Sequence, residues 1–231
     1  MSGLAQRLAA VRASIADAAR AAGRAPETVA LLAVSKFQPI EALIEAYQNG
    51  VRDFGENIVQ ELAGKASVMA NLGFDVRWHL IGRLQKNKIN LLLRHAIYRV
   101  QTIDSIELAD AVAQRTGKPD AKLDIFVQVN IGREAQKGGV DPDAAIALCA
   151  HVAATGTLTL CGLMAIPPAD AEPSPFFAQM KQLHGNVLAA HPSATEFSLG
   201  MSGDYSSAIA NGSTMVRIGT AIFGERARGQ L

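Results

Sequence analysis

Lys36 stands at the end of an unbroken apolar run, Val29-Ala-Leu-Leu-Ala-Val, and is followed two residues later by Gln38-Pro39. A short run of this kind suits a strand covered on both faces, and the proline ends its ladder. Ammonium groups are seldom buried without a reason, because desolvation lowers their pKa. At a strand end facing a pocket, the same effect yields a neutral amine suited to Schiff-base formation. Taken alone, the stretch reads first as a strand-end lysine snorkelling to solvent. Two further segments carry chemistry: Gly200-Met-Ser-Gly-Asp204 and Arg217-Ile-Gly-Thr220. Their glycines permit close approach of backbone amides to an anion, and Ser202 and Thr220 add hydroxyl donors. The plainer reading is a pair of tight turns.

The elements that must position these residues alternate regularly. Strands are expected at 29–36, 51–56, 76–81, 97–103, 123–129, 157–166, 196–199 and 214–218. Helices fall between them, at 39–49, 58–71, about 86–94, from 105, about 141–154, about 176–190 and 205–210. An amphipathic amino-terminal helix, with Leu4, Leu8, Val11 and Ile15 at helical spacing, precedes them and is expected to pack on the barrel within residues 1–23. Eight such units in 231 residues predict a single-domain α/β protein, a (β/α)8 TIM barrel over 1–231. An open doubly wound sheet is the alternative, but no G-x-G-x-x-G or P-loop follows the first strand.

In a barrel the site lies at the carboxyl ends of the strands, and phosphate esters commonly sit at the loops after strands 7 and 8. A Schiff-base lysine at strand 1 with such a cradle describes a pyridoxal 5'-phosphate site. Arg217 could face the ring nitrogen, keeping it unprotonated and the ring a poor electron sink; a salt bridge to Glu56 is the plain alternative. His79 reads equally as a cofactor contact or as a satisfied barrel histidine. Asn57 caps a helix or bonds the cofactor, the cap being the safer reading. Lys137 is a solvated charge or a lid residue, and Arg83, Lys86 and Lys88 form a solvated helix start or attract an anion. The other histidines and the two cysteines, Cys149 and Cys161, have no metal-ligand spacing.

The charge balance, 22 Lys and Arg against 21 Asp and Glu, gives no support to a nucleic-acid or membrane role. Arg7, Arg12 and Asp17 interrupt the amino-terminal apolar pattern, so neither a signal peptide nor a membrane span is expected. A reduced, cytoplasmic setting follows as the default.

The ordered motifs Ala33-Val-Ser-Lys36, Phe54-Gly-Glu-Asn57, Trp78-His-Leu-Ile-Gly82, Leu84-Gln-Lys-Asn-Lys88, Gly162-Leu-Met-Ala-Ile-Pro167, Leu199-Gly-Met-Ser202 and Ser213 to Gly224 extend the pattern. Together they make the chain resemble the pyridoxal phosphate homeostasis proteins from about residue 5 to 226. The resemblance implies an alanine-racemase-like barrel with the cofactor on Lys36. Its phosphate would be held by Ser202 and the Gly219–Thr220 turn, with Arg217 at the ring nitrogen. Asn57, His79 and Met201 complete the cofactor-binding set drawn from it. It further implies a binder and carrier of the cofactor, with pyridoxal-phosphate-dependent apo-enzymes as recipients and no clear catalysis. The chain runs seven residues past Gly224, so the second domain of the related racemases is expected to be missing, which favours binding over turnover. A monomer is expected over a dimer. An amino-acid racemase or related pyridoxal enzyme is the second reading, and a Schiff-base aldolase for a phosphorylated sugar the third. Three positions depart from the family pattern: Gln38 stands where a second lysine is common, Ile58 where an aromatic is usual, and Arg83 where proline is common. Lys137 matches another family lysine.

Overall fold

The computed structural model describes residues 3–117 and 122–224. Its centre is a closed barrel of eight parallel strands in chain order, the first pairing with the last. They are β1 (Ala30–Val34), β2 (Asp53–Glu56), β3 (Arg77–Leu80), β4 (Ile97–Ile103), β5 (Leu123–Val129), β6 (Leu158–Ala165), β7 (Glu196–Ser198) and β8 (Met215–Ile218). Around them run α1 (Gly3–Ala21), α2 (Ile40–Gln48), α3 (Val59–Asn71), α4 (Ile89–Leu92), α5 (Ile106–Thr116), α6 (Ala145–Ala154), α7 (Ser174–Ala190), α8 (Tyr205–Ala210) and α9 (Thr220–Phe223). The expected barrel is the observed one.

Local chemistry explains the boundaries. Pro39 takes the N-cap of α2 with extended backbone, and Gly50, at φ +83°, turns the chain out of it. Ser105 caps α5, its side chain accepting the Leu108 amide at 3.2 Å. Most strands are shorter than the runs that announced them: those of β1, β3, β6 and β7 continue into the turn that follows, and those of β2 and β8 begin before the ladder does. The helix expected over 86–94 is a 3-10 turn at Lys86–Lys88 followed by the single turn of α4. The segment after β8 contains the one-turn α9, which the pattern did not announce.

Two apolar regions hold the barrel. The larger lies between the sheet and the helices and includes Ala33, Phe54, Val100, Phe177 and Ile218, together with the Leu4, Leu8, Val11, Ile15 and Ala19 stripe of α1. Phe126, Cys161 and Met164 form a second, small cluster with Ile166 packed against it. Beside these, several polar side chains are fully buried, among them Ser35, Glu56, His79, Gln101 and Ser198. Burying so many polar groups is costly unless each finds partners. Their partners define the site.

Candidate functional site

Past Val34 the chain turns sharply. The amide of Gln38 donates to the carbonyl of Ser35 at 3.0 Å, and Phe37 sits at φ +62°, a left-handed conformation that a bulky residue holds only when its surroundings impose it. Those surroundings come from α3. Glu61 accepts the Phe37 amide at 2.5 Å, while Lys65 donates to the Ser35 carbonyl at 2.6 Å. Lys65 also pairs with Glu61 at 2.7 Å and with Glu56 at 2.8 Å, and Ser35 donates its hydroxyl to the same Glu56 oxygen at 2.7 Å. Burial drives the Glu56 carboxyl above its ordinary value, against the pull of Lys65 and Ser35. Lys36, half-buried, is thus presented from a turn clamped on both sides.

Lys36 opens onto a cavity of about 310 Å³ at the carboxyl end of the barrel. Its lining brings together Lys36, Asn57, Met201, Ser202, Arg217, Gly219 and Thr220, seven of the eight residues expected there. Gln38 lines it too, so the amide that replaces a second lysine faces the same space. Gly200, at φ +89°, starts the β7 loop; a side chain there would meet Ala208 and Tyr205 at under 3 Å. Gly203 has open space where a side chain would go, and the Asp204 carboxylate accepts the Met201 amide at 2.6 Å, fixing the turn. Gly219 approaches Val34 so closely that a Cβ would lie 3.0 Å from its carbonyl.

Arg217 is buried at the bottom of this cavity. It donates to the Ser198 carbonyl and hydroxyl, each at 2.7 Å, and to the Ala165 carbonyl at 2.9 Å. Burial lowers its pKa to about 10, a proton affinity that still leaves it charged at neutral pH. The alternative salt bridge to Glu56 does not form: Lys65 and Ser35 both bond Oε1 of that carboxylate, and its Oε2 is buried without a hydrogen-bond partner.

The capping role expected for Asn57 is likewise not observed. Ile58 is the N-cap of α3 and makes no side-chain bond, and Asn57 Oδ1 is buried without a hydrogen-bond partner. A buried carbonyl oxygen without a donor is costly, and this one borders the cavity, where a ligand could satisfy it.

His79 does not line the cavity. Alternation along β3 puts Ile81 at the mouth and His79 one layer deeper, where both its ring nitrogens are engaged, by Asp53 at 3.1 Å and by Gln101 at 3.0 Å. The reading as a satisfied barrel histidine fits this placement. Lys137 also stays out of the lining; it donates to the Pro167 carbonyl at 2.9 Å and pairs with Glu134 at 2.6 Å, tying the loops after β5 and β6 together. Arg83 and Lys86 are exposed.

Other chemistries lack support. Among the described residues no group of His, Cys, Asp and Glu could hold a metal ion. Both cysteines are buried, and burial pushes each thiol up to about 12, so neither offers a thiolate. Among the described residues no helix is long and apolar enough to cross a membrane.

A parallel eight-stranded barrel with a lysine after β1 and an arginine on β8 defines a class, and comparison with known proteins agrees: the family model described as "Alanine racemase, N-terminal domain" matches residues 7–227. A pyridoxal phosphate homeostasis protein of Pseudomonas aeruginosa is 41% identical over 226 residues, 98% of this chain and 97% of that one. Its counterpart from Escherichia coli is 41% identical over 230 residues, 98% of each chain. The chain belongs to the pyridoxal phosphate homeostasis protein family. Among solved structures, PipY of Synechococcus elongatus with pyridoxal phosphate bound superposes with a TM-score of 0.82 at 33% identity, covering 96% of this chain and all of PipY. An alanine racemase of Clostridium difficile shares the fold alone, at 14% identity and a TM-score of 0.67, this chain covering 53% of it.

Proposed function

We propose that this protein binds pyridoxal 5'-phosphate through a Schiff base on Lys36, and that it buffers the cofactor inside the cell and passes it to pyridoxal-phosphate-dependent apo-enzymes. The observation that carries the reading is the joint presence of Lys36, Arg217 and the Ser202 and Gly219–Thr220 rim in one cavity. The residues fit the group. The lysine supplies an amine for the aldehyde, and the buried oxygen of Asn57 lacks a donor that a ligand can bring. Ser202, Gly219 and Thr220 would hold the phosphate, and Arg217 the ring nitrogen, with Met201 at the rim. When bound, pyridoxal phosphate supplies an electrophilic aldehyde and a conjugated ring that can delocalise charge. An arginine at the ring nitrogen, permanently charged, donates a hydrogen bond but no proton, which limits that delocalisation. The chain's own residues therefore favour holding the cofactor over strong carbanion chemistry.

Relatives at 41% identity that are homeostasis proteins support this reading over a racemase, whose likeness here is one of fold. In this account the chain acts as a single-domain cytoplasmic monomer without robust catalysis of its own. The test is a visible absorbance titration of wild type beside Lys36→Ala. The expected result is a visible absorbance band of the bound cofactor in wild type only. Equal spectra for the two proteins would remove Lys36 from its role.

A further inference from the structure

Arg217 carries a charge inside the barrel; among the described residues no carboxylate ion-pairs with it, and Asp204, in the loop after β7, acts on it only through space. A hydrogen-bonded chain leads from it to a carboxylate. Arg217 Nη1 donates to Ser198 Oγ at 2.7 Å, and Ser198 Oγ donates to Gln101 Oε1 at 2.7 Å. Gln101 Nε2 meets His79 Nδ1 at 3.0 Å, and His79 Nε2 meets Asp53 Oδ1 at 3.1 Å. Asp53 pairs in turn with Arg77 at 2.5 Å. Ser198, Gln101 and His79 are fully buried.

The chain has one consistent direction. An ionised Asp53 only accepts, so His79 carries its proton on Nε2 and presents a bare Nδ1. That nitrogen takes a hydrogen from the Gln101 amide, which leaves Oε1 facing Ser198, whose hydroxyl points to it and whose lone pair takes the guanidinium. Every donor points from Arg217 toward Asp53. Reversing the amide would set Oε1 against a bare ring nitrogen unless His79 were charged. Burial instead holds His79 below its ordinary value, and Asp53, with burial opposing but His79 and Arg77 prevailing, stays below its own.

The two ends also open differently. Arg217 borders the carboxyl-end cavity, whereas Asp53 and Arg77 border a separate cavity of about 380 Å³ under α1. The bonds to Ser198 and Ala165 use three of the five N–H groups of a guanidinium.

We propose that Asp53, His79, Gln101 and Ser198 form a positioning relay for Arg217, which ties the guanidinium by hydrogen bonds to a carboxylate at the opposite end of the barrel and leaves its remaining N–H groups to a ligand's aromatic nitrogen. A carboxylate beside Arg217 would compete for those N–H groups; a relayed one does not. The inference rests on the cofactor reading and deepens it: the site selects an aldehyde phosphate that carries an unprotonated ring nitrogen.

The test compares binding of pyridoxal phosphate with that of its 1-deaza analogue, in which C–H replaces the ring nitrogen. Both are titrated by absorbance into wild type, Asp53→Asn and Ser198→Ala, with thermal unfolding of each protein recorded. Asp53→Asn retains an acceptor for His79 and loses only the charge, at a position outside the cofactor cavity. The expected result is a threefold or greater loss of affinity for pyridoxal phosphate in both variants, with less than a twofold loss for the analogue. Equal losses for the two ligands would reduce the relay to a packing role and overturn the proposal, as would unchanged affinity in both variants. Should Ser198→Ala fail to fold, Asp53→Asn decides alone. A wild type that binds neither ligand overturns the cofactor reading itself, an outcome distinct from loss of selectivity in the variants.

Discussion

Lys65 donates to the backbone carbonyl of Ser35 at 2.6 Å, so the residue before Lys36 is fixed by a side chain from the neighbouring helix. The same ammonium pairs with Glu56 and Glu61, one fully buried and the other half-buried. Removing one member of such a cluster leaves buried charge uncompensated. Lys65→Met is therefore expected to lose about 3 kcal/mol of stability, read by urea unfolding. It should also weaken cofactor binding, because the Lys36 turn is released. A loss under roughly 1 kcal/mol, the range of exposed pairs, would show the clamp to be incidental.

Arg217→Lys tests the fork at the base of the cavity. A lysine carries the charge but cannot donate in two directions from one plane to Ser198 and Ala165. Affinity for pyridoxal phosphate is expected to fall by roughly tenfold, equivalent to about 1.4 kcal/mol. An isothermal titration giving wild-type affinity would mean that charge alone suffices there.

Two glycines at the mouth should respond oppositely. A Cβ on Gly82 would lie 2.0 Å from the carbonyl oxygen of Asn57, so Gly82→Ala forces the backbone apart and costs roughly 1–3 kcal/mol. Gly203→Ala meets open space and should stay within about 0.5 kcal/mol of wild type. Thermal unfolding of the pair checks this; similar melting temperatures would contradict the close approach of β3 to the β2 loop.

His184 supplies a pH dependence. It is buried, stacked on Phe197 with ring centroids 4.5 Å apart and bonded to the Ala194 carbonyl at 2.8 Å. Burial lowers its pKa below 6.5, with the Ala194 bond opposing. The unfolded chain thus takes up a proton that the folded one refuses. The stability tied to neutral His184 is present above pH 6.5 and is lost as pH falls toward the depressed folded value. Relative to His184→Gln, wild type should lose stability as pH drops from 7 toward 5 on the handful-of-units scale over which histidine titrates. Parallel stability curves would place the proton elsewhere.

Much of the fold was legible because it rests on local periodicity. The strands at Ile97–Ile103 and Leu123–Val129 and the helix at Tyr205–Ala210 have the bounds their residues announce. The cavity residues were legible because turn chemistry and strand ends mark them: Lys36 before Pro39, Ser202 and Thr220 among glycines. What the sequence left hidden depends on contacts between distant residues. Lys65 is one of several lysines on helices until α3 packs against β2 and β3 and its side chain reaches the turn after β1, and nothing local pairs Gln101 with Ser198, 97 positions away. A buried Glu-Lys-Glu cluster has a faint trace in the helix, Glu61 and Lys65 at i,i+4, a spacing equally common on solvated faces. The cap reading of Asn57 fails for a related reason: its position before a helix suits a cap, but Ile58 takes the N-cap, and Asn57, its backbone close against Gly82, lines the cavity.

The most direct test of the central claim is to reduce the cofactor-loaded protein with borohydride and locate the adduct by peptide mass spectrometry. The account expects a single pyridoxyl phosphate group on Lys36. An adduct on Lys65 or Lys137 with Lys36 unmodified, or no adduct at all, would contradict it.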